Sequence, residues 1–250
     1  MKTDLGQDAK VLSWTVSDFT KPGDNFATVV TSIKVKALVK DEEKDLSYVV
    51  KLNPCRESVQ WSAMVQPLFI HEISFFTEIG PCINGYLKNQ QPLRVPKCYY
   101  STLEPGKELM INNDLRENGF KMFNKKYGMD YNHATLVIKE LAKMHAGSYL
   151  LIKERSYDKV LSDFPALKED VMFREGKNLD MFDDMIQNQV DLLVSILMAF
   201  PGYERVTNWM KEWKSKFMSI IQDLISDYTD PFTVINHGDC WNNNFVFRYV

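Results

Sequence analysis

Apolar and polar residues alternate along two neighbouring stretches in the first quarter of the chain. The stretch "NFATVVTSIKVKALVK" has the period of two that is typical of a half-buried strand. Its alternating positions are Val29, Thr31, Ile33, Val35 and Ala37. An acidic break follows at 41–45, and "LSYVVKLNP" then gives a second strand candidate that ends at Asn53-Pro54. We therefore expect two neighbouring antiparallel strands with the hairpin tip at the acidic break.

The pattern changes to a helical period over residues 62–77, and we expect Gly80-Pro81 to end that helix. Two further strand candidates, "KCYYST" and "ELMIN", lie on either side of the turn at Glu104-Pro105-Gly106. The order strand, strand, helix, strand, strand predicts an α+β lobe rather than an alternating βαβ array.

Helical patterns dominate after Asp114. We expect one helix capped by Asn132, one over 190–200 that ends at Pro201-Gly202, and a long amphipathic helix over 206–224. The short strands "FTVIN" and "FVFRYV" are expected near the end. The sequence thus predicts an N-terminal lobe over residues 1–115 and a largely helical lobe over 116–250.

Charge and composition narrow the possible partners. The net charge of -3 gives no basic field for nucleic acid or for an acidic membrane surface, so neither partner is expected. The first ten residues contain no apolar segment typical of a signal peptide, and no apolar run is long enough to span a bilayer. The four cysteines are scattered, as is typical of free thiols in a reducing compartment. We expect a soluble cytoplasmic protein, and its oligomeric state stays open.

The strongest chemical signal is the octet His237–Asn244, "HGDCWNNN". It has the form His-x-Asp with an Asn five residues after the Asp, the spacing of a kinase catalytic loop. A carboxylate at Asp239 would accept a hydrogen bond from the attacking hydroxyl, and Asn244 would offer Mg²⁺ a neutral oxygen. The alternative is a polar turn, rich in Asn and Asp, between two strands.

Three upstream residues fit the same interpretation. Lys51 lies at the end of the second strand, where a kinase lysine grips the α- and β-phosphates, and Glu72 lies on the next helix, placed to pair with it. Each taken alone is also compatible with an ordinary surface charge. Asn25, in the turn "KPGDNFATVV", could approach phosphate, but a plain β-turn explains that stretch equally well.

The sequence resembles the ecdysteroid kinase-like family, also called CHK kinase-like, which is similar in fold to aminoglycoside phosphotransferases and choline kinases. The resemblance covers the chain from about Asp18 to its end. The stretches that carry it are "KPGDNFATVV", "YVVKLNP", "FIHEISFFTEIGP", "VPKCYYS", "NNDLRENGFKM", "HATLVIKELAKMHAGS" and "VINHGDCWNNNFVF".

The resemblance implies a protein-kinase-like fold of two lobes that transfers the γ-phosphate of ATP, with Mg²⁺, to a hydroxyl of a small molecule such as an ecdysteroid. Lys51 would bind the phosphates, and Glu72 would form an ion pair with Lys51. The stretch from Met110 to Leu115 would be the hinge against the adenine. By the same resemblance Asp239 would be the catalytic base and Asn244 a magnesium ligand. In the hinge, the nucleotide-binding positions would be Ile111, Asn113 and Leu115.

Two departures from the family pattern change this expectation. Asn112 and Asn113 stand where the family usually has an apolar residue and an acid, which makes the hinge more polar. The family also continues, after the octet, to an Asp-Phe-Gln segment that supplies the main magnesium ligand, and the 250-residue sequence does not reach it. We therefore expect a fragment of a kinase. The alternative is a catalytically inactive, pseudokinase-like binding protein, so whether this chain is itself an enzyme stays open.

Overall fold

The computed structural model describes most of the chain. It describes residues 2–19, 28–54, 59–88, 90–124, 126–168, 177–226 and 232–249.

A five-stranded antiparallel sheet forms the N-terminal part, in the spatial order β1-β2-β3-β5-β4. Its strands are β1 (Lys10–Asp18), β2 (Val29–Val39), β3 (Glu42–Leu52), β4 (Cys98–Thr102) and β5 (Leu109–Asn113). A sheet of this kind followed by helices confirms the predicted α+β fold of the two-lobed kinase type. Strand β1 was not delimited from the sequence pattern.

The β2–β3 hairpin follows the alternation in the sequence, but its tip is tighter than predicted. The two strands pair without interruption from Val29 opposite Leu52 to Val39 opposite Glu42. Lys40 and Asp41 form the turn with φ angles of 51° and 63°. Positive φ at both central residues matches the twist of the flanking strands. The acidic residues expected in the tip therefore belong mostly to β3.

Each face of the sheet has its own apolar cluster. The face that we call the outer face contacts helix α1 (Lys2–Leu5), and its buried residues are Ala9, Val35, Ala37, Val39 and Tyr48. The opposite face, which we call the inner face, packs against helix α2 (Val59–Ser74), where Val65, Phe69 and Ile73 surround Met110. Because Lys51 pairs directly with Met110, the two side chains lie on the same face, and Lys51 belongs to the inner face.

The helix between β3 and β4 does not end where the sequence predicted. After α2 the backbone makes a π-helical segment over Phe75–Ile79 and continues directly as α3 (Gly80–Tyr86). Pro81 lies in the first turn of α3 and has no N–H to donate to the preceding π-helical turn. Gly80 fits this passage because a Cβ there would lie 2.9 Å from the Phe75 carbonyl oxygen. Gly80-Pro81 therefore marks a change of helical geometry and not a helix end.

The next two helices are α4 (Tyr131–Arg155) and α5 (Tyr157–Asp163). The cap of α4 is Asp130, whose carboxylate accepts from the His133 backbone N–H at 2.9 Å, so the prediction of an Asn132 cap was wrong. Helices α3, α4 and α5 share one apolar core. Its buried residues are Ile79, Ile83, Leu87, Leu93, Met144, Leu151, Val160 and Phe164.

Gly147 lets α3 and α4 approach closely, and we expect Gly147→Ala to destabilise the protein by about 1–3 kcal/mol. A Cβ at this position would lie 2.6 Å from Ile83 Cγ2 and 3.2 Å from the Ile83 carbonyl oxygen, so the two helices would have to move apart. Urea denaturation measures the change. Gly85→Ala is the matched control, because a Cβ there meets no atom within 4 Å. An equal decrease in the free energy of unfolding in Gly147→Ala and Gly85→Ala would contradict the packing explanation.

The chain divides into two compact units, residues 1–167 with 234–250 and residues 168–233. The second unit contains α6 (Lys177–Leu197), α7 (Glu204–Trp213) and α8 (Phe217–Ser226). The predicted long helix over 206–224 is therefore two helices, separated by a 3₁₀ turn at Lys214–Lys216. Val190, Val194 and Met210 form the buried core of this unit. The division into lobes at residue 115 stays a prediction.

Near its end, the described chain departs once more from the prediction. Residues 232–236, "FTVIN", form no strand. The short strand β7 (Val246–Arg248) pairs with β6 (Phe120–Met122) in a separate two-stranded sheet. In the part of the chain that the structure describes, no helix is long and apolar enough to cross a membrane.

Candidate active site

The structure joins Lys51 and Glu72, the two upstream residues singled out in the sequence. Lys51 Nζ forms an ion pair with Glu72 Oε2, between β3 and α2 on the inner face. The exposed fractions of the two side chains are 29% and 31%. The ammonium group is therefore held in one place and is still open to a ligand.

The other predicted nucleotide-binding positions differ in their surroundings. Asn25 lies outside the described residues. Ile111 packs its side chain into the outer-face cluster, so only its backbone faces a ligand on the inner side. Asn113 binds the Lys97 backbone twice, through its N–H at 3.0 Å and its side-chain oxygen at 2.7 Å. Leu115 begins a 3₁₀ helix, Leu115–Asn118. The nucleotide contacts of these residues stay predictions.

Asp114, which lies in the predicted hinge stretch but was given no role of its own there, connects the end of β5 to the sheet. Asp114 is buried, with 3% of its surface exposed. Its carboxylate accepts hydrogen bonds from Ser47 Oγ at 2.7 Å, from Arg116 Nε at 2.9 Å and from Arg116 Nη2 at 2.7 Å. Arg116 Nη2 also donates to Ser32 Oγ at 3.0 Å. Burial alone would raise the pKa of Asp114, but the hydrogen bonds from Arg116 and Ser47 outweigh burial and lower it below its ordinary value. Asp114 and Arg116 together thus link β2, β3 and the predicted hinge.

We expect Asp114→Asn to destabilise the protein by about 2–3 kcal/mol at pH 7, because it removes the charge that Arg116 and Ser47 solvate. A carboxylate with a lowered folded-state pKa stabilises the fold above its unfolded pKa, near 4, and that stability is lost as the pH falls through the folded value. Urea denaturation between pH 7 and pH 3 should show this loss in the wild type and a smaller one in Asp114→Asn. The control is Glu104→Gln, at an exposed ion pair with Lys107. If the free energy of unfolding changed with pH in the same way in the wild type and in Asp114→Asn, the lowered pKa of Asp114 would be contradicted.

The octet is a compact loop in which Asn244 contacts Asp239. Asn244 Nδ2 donates to Asp239 Oδ2 at 2.7 Å and to the Asp239 carbonyl oxygen at 2.8 Å. His237 Nδ1 accepts from the Asp239 backbone N–H at 3.2 Å. Gly238 has a φ of +80°, a value that glycine adopts without strain. The octet therefore presents an exposed carboxylate whose orientation is set by an amide.

Contacts on both sides hold the octet in place. Before it, the Ile235 N–H donates to Ser148 Oγ at 3.1 Å, and Ser148 is completely buried on α4. After it, the ring of His133 at the start of α4 lies 4.7 Å from that of Phe247, and its Nε2 lies 2.9 Å from the Tyr249 hydroxyl. Helix α4 thus supports the chain as it enters and as it leaves the octet.

Cys240, next to Asp239, is not suited to nucleophilic chemistry. Desolvation of the thiol and the neighbouring Asp239 carboxylate both raise the pKa of Cys240 above its ordinary value. Since the thiolate is the reactive form of cysteine, this side chain stays protonated near neutral pH. Asp239 and Asn244 are the groups in the octet that suit phosphoryl transfer.

The octet contains an amide oxygen of the kind that Mg²⁺ binds, but its described residues do not form a complete metal site. Because Asn244 turns its Nδ2 toward Asp239, its carbonyl Oδ1 lies on the opposite arm of the amide. Among the described residues, no group of three or more His, Cys, Asp or Glu side chains could hold a metal ion. Mg²⁺ commonly keeps several waters and binds through one or two protein oxygens together with substrate phosphates. The Asn244 side-chain oxygen would fit that kind of site.

A family model decides the relationship of this chain to known proteins. The model of the ecdysteroid kinase-like family matches residues 22–250. The chain belongs to the ecdysteroid kinase-like family. Comparison with curated proteins and with solved structures finds no match.

Membership in the ecdysteroid kinase-like family confirms the resemblance stated from the sequence motifs. It indicates small-molecule kinase activity in general, and kinase-like families generally use ATP and Mg²⁺. In this ecdysteroid kinase-like chain, both residue pairs of the candidate site belong to one compact unit, residues 1–167 with 234–250. The individual roles of Lys51, Glu72, Asp239 and Asn244 stay predictions.

Proposed function

We propose that the protein transfers the γ-phosphate of ATP to a hydroxyl group of a small molecule. The observation that carries this proposal is the ion pair between Lys51 and Glu72 on the inner face, in a chain of the ecdysteroid kinase-like family. An ammonium group held by a carboxylate, on a strand of this sheet, is the arrangement that protein kinases use to position the α- and β-phosphates.

In this proposal Lys51 binds the phosphates and Glu72 orients it. The carboxylate fixes the flexible lysine side chain, so less rotamer freedom is lost when a phosphate binds. The held ammonium then offsets negative charge on the phosphates throughout the reaction.

Asp239 accepts a hydrogen bond from the acceptor hydroxyl and aligns its oxygen with the γ-phosphate. The amide of Asn244 occupies Asp239 Oδ2, which leaves Oδ1 for the acceptor. Asn244 Oδ1 and the ATP phosphates would hold Mg²⁺, which neutralises charge on the transferring phosphoryl group.

The proposed acceptor is a small hydroxylated molecule, and the family description makes an ecdysteroid the first candidate. The net charge of -3 supports neither nucleic acid nor an acidic membrane as a partner. Since the donor is ATP, we place the reaction in the cytoplasm, where ATP is supplied.

A transfer assay tests the proposal. The whole gene product is incubated with Mg²⁺, ATP labelled at the γ-phosphate and single candidate acceptors, among them ecdysteroids and amino alcohols, with a steroid that lacks hydroxyl groups as the negative control. Product is detected by mass spectrometry. The proposal expects a product that gains one phosphate group, only with hydroxylated acceptors and only with Mg²⁺. Saturable ATP binding without transfer to any acceptor would instead support the pseudokinase-like binding protein.

A further inference from the structure

Strand β1 forms an open edge of the five-stranded sheet. It pairs with β2 on one side, and in the part of the chain that the structure describes no strand pairs with its other side. All nine of its residues, Lys10–Asp18, are exposed. Natural proteins protect such edges with prolines, charges or very short strands, because an open edge pairs readily with another chain. Residues 11–17, "VLSWTVS", contain neither a proline nor a charge, so this edge is long and largely unprotected.

The strand register shows which peptide groups of β1 face away from the sheet. The two-residue turn of the β2–β3 hairpin makes its flanking residues a hydrogen-bonded pair, and alternation from there directs the even-numbered residues of β2 towards β1. The residues of β1 opposite them include Ser13, Thr15 and Ser17, which therefore bond to β2. Trp14 and Val16 lie between these residues, so their N–H and C=O groups point outward, where a further strand would bond.

The same stretch carries exposed apolar side chains. Trp14 is 65% exposed and Val16 is 53% exposed. Both lie on the outer face, because they pair with Val35 and Ile33 of the outer-face cluster. Leu12, at a bulge that precedes the regular part of the strand, is half exposed. The edge thus offers a partner strand both peptide groups and apolar surface.

The charges of β1 indicate which partner fits. The strand has one lysine, Lys10 at its start, and one acid, Asp18 at its end. When two copies pair antiparallel about Trp14, the Lys10 end of each strand lies beside the Asp18 end of the other. The same pairing brings Leu12 next to Val16 and joins the outward peptide groups of the two Trp14 residues across a two-fold axis. A strand that complements its own reverse fits an interface between two identical chains.

We propose that the protein forms a dimer through β1, in which the sheets of two chains join as one continuous antiparallel sheet. Hydrogen bonds form between the outward N–H and C=O groups around Trp14, as in other cases of strand addition to an open edge. The apolar side chains of the two β1 strands cover one another on the outer face. Lys51 lies on the inner face of β3, two strands away from the interface, so the candidate nucleotide site stays open in the dimer.

Sedimentation equilibrium of the whole gene product over a range of concentrations tests the dimer. The wild type should show an equilibrium between monomer and dimer. Lys10→Asp and Asp18→Lys, each alone, bring like charges together at both ends of the interface and should weaken dimerisation by about 10-fold. The double variant restores opposite charges and should recover the wild-type affinity. Lys44→Asp reverses an exposed lysine on β3, away from the edge, and is the matched control that should dimerise as the wild type does.

Trp14→Lys tests the centre of the interface. It places two ammonium groups side by side at the two-fold axis and should leave a monomer at every concentration. A thermal melt checks the folding of this variant, and if it does not fold, the charge variants decide the question.

Four results would overturn the proposal. The first is a wild type that stays monomeric throughout, and the second is a dimer that Trp14→Lys leaves unchanged. The third is a double charge variant as weak as the single ones, which would contradict the antiparallel pairing about Trp14. The fourth is growth of the wild type beyond two chains, because an interface of this symmetry closes at the dimer.

Discussion

Replacing Asp239 by Asn is expected to lower kcat for phosphate transfer by about 10²–10⁴-fold, the usual contribution of a general base. The neutral amide can still accept a hydrogen bond but cannot take the proton of the acceptor hydroxyl. The contact from Asn244 Nδ2 to the main-chain oxygen of residue 239 does not depend on the carboxylate, so the octet should keep its shape. Steady-state kinetics with a saturating acceptor measure the effect.

The affinity for Mg·ATP should change little in the same variant, because Asp239 acts on the acceptor. Asp8→Asn, an exposed carboxylate near the N-terminus, is the control and should have wild-type kcat. Turnover at the wild-type rate in Asp239→Asn would remove Asp239 from the reaction and leave the octet as a polar turn.

Replacing Lys51 by Met is expected to lower kcat/KM for ATP by about 10²–10³-fold, the scale seen when one preorganised electrostatic group is lost. The variant keeps the length of the side chain but removes the charge that binds the phosphates. Since both partners of the ion pair are partly exposed, its loss should cost about 1 kcal/mol of stability or less. Reduced activity would therefore not result from unfolding, and a thermal melt of each variant checks this.

Two further variants sharpen the test of Lys51. Glu72→Gln should reduce kcat/KM less than Lys51→Met, because the ammonium group stays but is held less firmly. Lys36→Met changes an exposed lysine on the neighbouring strand β2 and should behave as the wild type does. Equal losses in Lys51→Met and Lys36→Met would indicate a general charge effect and not a phosphate contact.

Much of the sheet could be predicted because its strands carry local patterns. The alternation of β2 and β3 follows from one buried face, and the antiparallel pairing follows from the short turn between them. The hairpin tip was harder to predict because positive φ is uncommon for lysine, and Lys40 adopts it next to Asp41. Gly80-Pro81 was wrongly predicted to end a helix, because the π-helical segment before it continues directly into α3.

The candidate site was only partly predictable, for a physical reason. Lys51, Glu72, Asp239 and Asn244 occur in recognisable spacings, and the structure brings each pair into contact. Asp114 matters through its burial and through a partner far along the chain, Ser47. Sequence spacing alone does not report such contacts. The polar stretch "NND", whose two asparagines were noted from the sequence, was a signal that could have directed attention to Asp114.

Calorimetric titration of the protein with ATP, in the presence and absence of Mg²⁺, tests the central claim most directly. That claim is that the inner face around Lys51 is a nucleotide site. We expect saturable binding at one site per chain, stronger with Mg²⁺ and clearly weakened in Lys51→Met. An absence of saturable binding in the wild type, or equal affinity in Lys51→Met, would contradict it.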